Sequence, residues 1–156
     1  MAAQWYALGS KPHKEEVLWR QLHAQGYEVF FPRFLAATGN LSVLKVRPYF
    51  LGYLFVKVDL DQVGISTFQW MPFAAGLITF GGRPAHVPEN LILAIEKRLQ
   101  KVNAAVGELL ASIDYQDGIS EGESPFQGYE AIFDTRLPGS ERNRVLLQLL
   151  NDINAA

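Results

Sequence analysis

The sequence predicts an α+β fold, an antiparallel sheet with helices packed against it, and three observations carry that prediction. Short stretches rich in aromatic and β-branched residues recur at 4–10, 27–34, 53–59 and 77–87. Helix start and stop signals fall in two of the intervals around them. Two glycine-bearing turns, Thr38-Gly39-Asn40 and Gly81-Gly82, are of the kind that joins antiparallel strands.

In order along the chain, QWYALGS (4–10) reads as a short strand ended by Gly9 and Ser10. KPHKEEVLWRQLHAQG reads as a helix: Pro12 suits its first position, Glu15 and Glu16 suit the positive end of its dipole, and Gly26 suits its stop. Its apolar stripe, Val17, Leu18 and Leu22, is narrow and covers one face of something. YEVFFPRF (27–34) is a second strand, pushed by Pro32 toward an edge or a bulge. LAATGNLSVLKV is a hairpin, and DQVGISTFQWM is a short, imperfect helix weakened by Gly64, Ile65 and Thr67.

Residues 77–80 and 83–87 flank the Gly81-Gly82 turn, and Pro88 opens PENLILAIEKRLQKV, whose Leu91, Ile95 and Leu99 keep helical register. Helices interspersed with antiparallel strands, packed on one face of the sheet, approach a split βαβ arrangement. Beyond Val102 the chain becomes acidic and rich in Gly and Ser. Two apolar islands follow: YEAIF (129–133) is strand-like, and RVLLQLLNDI (144–153) has helical spacing. The expected organisation is a domain at 1–101, a linker at 102–120 and a small C-terminal region at 121–156.

Composition excludes several classes of function. Only 19% of the 156 residues are charged and nearly half are apolar, enough to bury a core. Cysteine is absent, which removes disulfides, thiolate metal sites and a cysteine nucleophile. His13, His23 and His86 lack zinc-binding spacing, and neither a phosphate loop nor a nucleophile elbow appears, so the expectation is no metal, no cofactor and no enzyme. No apolar run reaches the roughly 18 residues of a membrane span, and the N-terminus lacks a leader pattern. A monomeric cytoplasmic protein is expected, with no membrane contact. Residues 1–101 hold eleven Lys/Arg against seven Asp/Glu, whereas 102–156 hold three against nine. That split suits a nucleic-acid-facing body and an acidic tail, or two ordinary solvated surfaces.

The stretch RPYFLGYLFVKVDL (47–60) poses the functional question. Leu54, Val56 and Val58 alternate with Lys57 and Asp59, as in a half-buried strand, yet the side expected to face water begins with Tyr53 and Phe55. These rings are covered by a second layer, or they stack RNA bases as in an RNA-recognition module, with Tyr6 as partner aromatic, or they meet a protein. In the RNA pattern, Leu51 stands where a basic residue belongs and Leu54 where a small one belongs.

WYAL, then K-P-x-x-E-E-x-x-x-x-Q-L, then P-Y-F-L-G-Y-L-F-V, then F-G-G-x-P-A-x-V-P, in this order and spacing, resemble the N-terminal (NGN, ferredoxin-like) domain of the NusG/RfaH family of bacterial transcription elongation and antitermination factors. SPFQGYEAIFDTRLPGSERNRVLLQLL resembles the family's C-terminal KOW domain. The resemblance implies binding to RNA polymerase at the clamp helices of its large subunit, with suppression of pausing or termination. The matching patch is Phe50, Tyr53, Phe55 and Phe80. It further implies contact with the non-template DNA strand by Lys11, Lys14, Arg20, Thr67 and Trp70. The tail departs from the pattern: DYQDGISEGESPFQG is too polar for the first barrel strand, and no strand follows LLNDI. An incomplete KOW barrel, a helical segment or partial disorder is expected there, which argues against the family's contacts to Rho or the ribosome. A helix of RVLLQLLNDI laid on the patch, as in RfaH-type proteins, is a further expectation.

Overall fold

A computed structural model describes residues 3–37, 44–109 and 126–155. Its elements are β1 (Gln4–Ser10), α1 (Glu15–Ala24), β2 (Glu28–Phe30), β3 (Arg33–Ala37), β4 (Leu44–Pro48), β5 (Tyr53–Val58), α2 (Leu60–Val63), α3 (Ile65–Gln69), β6 (Ala74–Leu77), β7 (Thr79–Phe80), β8 (Arg83–Pro84), β9 (His86–Val87), α4 (Glu89–Leu109), a 3-10 turn (Glu130–Phe133) and α5 (Gly139–Asn154). They fall into two compact units. The first comprises Met1–Phe31, Gly52–Ile92 and Leu147–Ala156, and the second comprises Pro32–Leu51 and Leu93–Leu146.

The first unit is built on an antiparallel sheet ordered β2-β5-β1-β6, with β9 also paired to β1. β1 is central because it is apolar on both faces: Trp5, Ala7, Leu8 and Gly9 are all buried. On one face Leu8, Leu54, Val56 and Val58 pack with Leu18 and Leu22 of α1, Phe68 of α3 and Met71. Burying an aliphatic side chain of this size is worth about 1.5–3 kcal/mol, so this cluster organises the unit. α1 begins at Glu15, three residues after Pro12, because His13 adopts φ +61 and interrupts helical backbone there. It ends as anticipated, with Gly26 N–H bonded to His23 O at 3.0 Å and Tyr27 N–H to Leu22 O at 3.1 Å, a Schellman stop.

The imperfect helix resolves into two. Asp59 caps α2 by accepting the Asp61 N–H at 3.0 Å, and Gly64, at φ +86, turns the chain into α3. After β6, Ile78 N–H donates to Ala7 O at 2.9 Å and Ala85 N–H donates to Ile78 O at 2.8 Å. Between those anchors the β7–β8 hairpin carries Phe80, and its Gly81 and Gly82 have φ +61 and +79, as a type I′ turn demands.

The second unit holds the β3–β4 hairpin, most of α4, the 3-10 turn and the start of α5. The strand register pairs Ala37 with Leu44, as a hairpin requires, and its tip at 38–43 lies outside the described residues. Arg142 organises this unit although it is only 2% exposed. Its guanidinium donates to Tyr49 O (3.0 Å), Asp134 O (3.2 Å) and Leu137 O (2.6 Å) and lies 4.4 Å from the Tyr49 ring centroid. Burial of the cation is thereby matched by charge-assisted bonds and a π face.

YEAIF was expected as a strand; it is a 3-10 turn instead. Ile132 and Phe133 are adjacent and both buried, which a strand with one covered face does not permit and a tight helical turn does. RVLLQLLNDI is helical as its spacing implied, with Val145, Leu146, Leu149 and Leu150 forming one buried stripe of α5. The described residues 126–155 therefore contain no barrel strand. α4 runs unbroken through position 101 to Leu109, and residues 110–125 of the expected linker and tail lie outside the described residues.

Candidate functional site

β5 places Tyr53, Phe55 and Lys57 on the face away from α1. Register sets them opposite Gly9, Ala7 and Trp5 of β1. The small partners leave room for the rings: opposite Phe55 stands a methyl group, and opposite Tyr53 only hydrogen. On the other side Phe30 of β2 pairs with Phe55, their rings stacked with centroids 6.0 Å apart. Lys57 reaches Glu89 at the start of α4, 3.6 Å away.

The expectation that this face meets water is corrected. Phe55 has no solvent exposure, and Trp5 and Ala7 beside it are buried as well. Lys57 and Asp59 made the strand look half-exposed, but Phe55 lies against Phe30 of the neighbouring strand, a pairing that no local alternation reports. Tyr53 and Phe80 are half-buried. Phe50, in the second unit, is fully buried against Tyr49 at 5.0 Å, edge to face. The four expected patch residues therefore do not form one exposed apolar surface in this conformation.

Tyr6 lies on the opposite face of the sheet. It sits across from Val56 and packs on the α1 core, so it does not join Tyr53 and Phe55 in a base-stacking row. Burial, reinforced by Asp59 and Asp61, pushes its phenol above the ordinary tyrosine range. The RNA-recognition reading loses its partner aromatic.

Two helix-borne asparagines act on single residues of backbone. In the second unit, Asn143 accepts the Leu51 N–H at 3.0 Å and donates to Leu51 O at 2.7 Å. In the first unit, Asn154 accepts the His86 N–H at 3.0 Å and donates to His86 O at 3.1 Å. Each amide satisfies both polar groups of one residue, Asn154 at the strand residue His86 and Asn143 at the turn residue Leu51. The final half of α5 belongs to the sheet's own unit and is tied to β9, the strand beside β1. Sequence reasoning overlooked both asparagines, since a lone Asn in a helix carries no signal of its partner.

The expected nucleic-acid residues separate. Lys11 and Lys14 are exposed ahead of α1, and Trp70, 79% exposed, ends α3. Arg20 is exposed but bonded to Glu16 at 2.7 Å, and the Thr67 hydroxyl is spent on Val63 O at 2.8 Å. Phe73 joins Lys11 and Lys14: its carbonyl accepts the Lys11 N–H at 2.9 Å, and the Lys14 ammonium lies 5.9 Å from its ring centroid. Phe73 has φ +71, a conformation uncommon for a bulky residue, and is 37% exposed. Its role had no sequence signature.

Among the described residues no helix is long and apolar enough to cross a membrane, and no group of three His, Asp or Glu is placed to hold a metal ion.

A sheet of this topology, ending in a glycine hairpin and a long helix, is matched over residues 3–96 by the family model "Transcription termination factor nusG". The chain belongs to the NusG family, and with it to the transcription termination and elongation factors. It is also similar to the solved structure described as "Domain interaction in Thermotoga maritima NusG", with 16% identity, a TM-score of 0.44, and coverage of 77% of this chain and 67% of that one.

Proposed function

We propose that this chain binds RNA polymerase at the clamp helices of the large subunit and suppresses pausing or termination. The observation that carries the reading is family membership over the segment that contains Tyr53, Phe55 and Phe80. In this reading Tyr53 and Phe80, half-buried now, make first contact with a helix tip. Phe55, and Phe50 from the second unit, add apolar area once their cover moves, at about 1.5–3 kcal/mol for each ring fully buried. Lys11, Lys14 and Trp70, with Arg20 and Thr67 at the margin, meet the displaced non-template strand, where Trp70 stacks a base.

The helical C-terminal region regulates access in this proposal. Supporting it, the end of α5 belongs to the sheet's unit and Asn154 anchors it at β9. The resting state is then α5-docked, and recruitment requires its release. A barrel-dependent contact with Rho or the ribosome forms no part of the proposal.

The test is capture of core RNA polymerase by Tyr53→Ala/Phe80→Ala. Both rings are partly exposed, so the fold survives their removal better than it survives loss of Phe55. Binding should fall at least tenfold with the melting temperature within a few degrees of wild type. Undiminished capture by the folded double variant refutes the patch.

A further inference from the structure

Trp5 of β1 is only 7% exposed, yet its indole Nε1–H has no hydrogen-bond acceptor. Among the described residues no other buried side-chain nitrogen or oxygen lacks a partner. Buried tryptophans ordinarily find an acceptor for this group. Strand register accounts for the exception. Directly beside Trp5 stand Val87 of β9, whose side chain accepts nothing, and Lys57 of β5, which is itself only a donor. The one carboxylate that Lys57 brings near, Glu89, is engaged by the Lys57 ammonium at 3.6 Å.

The neighbouring Tyr6 packs on the α1 core, so strand alternation turns Trp5 to the other side of the sheet, the side of Phe55. α1, α2 and α3 are all committed to the Tyr6 side through Leu18, Leu22, Leu60, Val63 and Phe68. Of the helices in this unit, the first turn of α4 and the end of α5 remain for the Trp5 side. Asn154 fixes that end of α5 at His86, the residue next along β9 from Val87, and Val87 is paired with Trp5. Leu149 and Leu150 of the same helical segment are buried.

We propose that Trp5 tunes how readily α5 leaves the sheet: docking of residues 147–154 keeps water from the indole N–H, and release returns it. The docked state then bears the cost of an unmade hydrogen bond that the released state does not. This inference rests on the reading that α5 release governs access. An orphaned donor lowers the docked-to-released ratio by about 5- to 150-fold, the equivalent of about 1–3 kcal/mol. The two Asn154 bonds act in the opposite direction, so the pair sets a balance in which α5 is held without being sealed in place. An apolar side chain of the same volume would fill this position equally well and bind α5 more tightly; the indole nitrogen is what makes the contact reversible.

The test replaces Trp5 of the full chain with benzothienylalanine, which keeps the shape of tryptophan and carries sulfur in place of the N–H. Amide exchange across 147–154 should slow by about 5- to 150-fold. A higher melting temperature with unchanged exchange there would overturn the proposal, because the cost would then lie in the whole fold and not in α5 docking. Faster exchange would overturn it as well, since the N–H would have had an acceptor that sulfur loses. A second measurement needs no substitution: the Trp5 indole proton of the wild-type chain should show no magnetisation transfer from long-lived water, and a clear transfer would refute the orphaned donor. Titration with core polymerase separates this inference from the reading beneath it. Slowed exchange with affinity lowered by the same factor upholds both, whereas slowed exchange with unchanged affinity upholds Trp5 and refutes release before recruitment.

Discussion

Replacing Asn154 with alanine removes both side-chain bonds to His86, at 3.0 and 3.1 Å, together with the bond its amide donates to Leu150 O at 2.7 Å. The His86 N–H and C=O are only part-buried, so water replaces some of what is lost, and the net weakening of α5 docking is about 1–2 kcal/mol, toward the low end for an orphaned pair. That corresponds to a factor of roughly 5–30 in the docked-to-released ratio. If release precedes recruitment and the docked form dominates, apparent affinity for polymerase rises by the same factor, because it scales with the competent fraction. Equilibrium titration of labelled chain with core polymerase measures it, beside Asn151→Ala, an exposed change on the same helix. Amide exchange across 147–154 reports release directly. Faster exchange there with unchanged or weaker polymerase affinity would refute the regulatory argument, because α5 would then be loosened without any gain in access.

Trp70→Ala should weaken single-stranded DNA binding by about 1–3 kcal/mol, one stacked base, with little change in melting temperature; equal binding would remove Trp70 from the surface. Gly64→Ala forces an L-residue to φ +86 between α2 and α3 and should destabilise the fold by about 1–2 kcal/mol in denaturant titration, although no neighbouring atom crowds the new methyl group. Arg142→Met should lower the melting temperature by at least the equivalent of one charged hydrogen bond, about 1.5–3 kcal/mol, by leaving three carbonyls short of a donor; an unchanged melt would show that water satisfies them. Arg136 holds the Asp134 carboxyl below its ordinary value of 3.8. Its contribution is therefore complete above that pH and lost as pH falls through the lowered value, and Asp134→Asn should flatten this acid limb of the stability profile.

Much of the first unit was legible because its signals are local. Gly26 stops α1, Gly64 divides a weak helix and Gly81-Gly82 makes a tight turn, each through backbone constraints acting within a few residues. The spacing of Leu146, Leu149 and Leu150 likewise announced a helix. What escaped depends on partners distant in sequence. Phe55 looked solvated because Lys57 follows it, yet the ring is covered; Phe73 and His13 take left-handed backbone that their side chains do not favour. The YEAIF segment misled because aromatic and β-branched residues serve a buried 3-10 turn as well as a strand. Of the expected nucleic-acid residues, Arg20 and Thr67 proved occupied by neighbours on their own helical surface, an i,i+4 geometry that the spacing contains but that does not reveal which partner wins.

The interleaving of the two units bears on how the chain is made. Residues 147–156 belong to the same unit as β1, yet leave the ribosome some 55 residues after Ile92, the preceding segment of that unit. At about 5–20 residues per second, the nascent sheet waits on the order of 3–11 s without them, and for that interval the His86 backbone groups of β9 lack their Asn154 partner. The sheet therefore folds first with that edge open to water, and closes it only when residues 147–154 emerge.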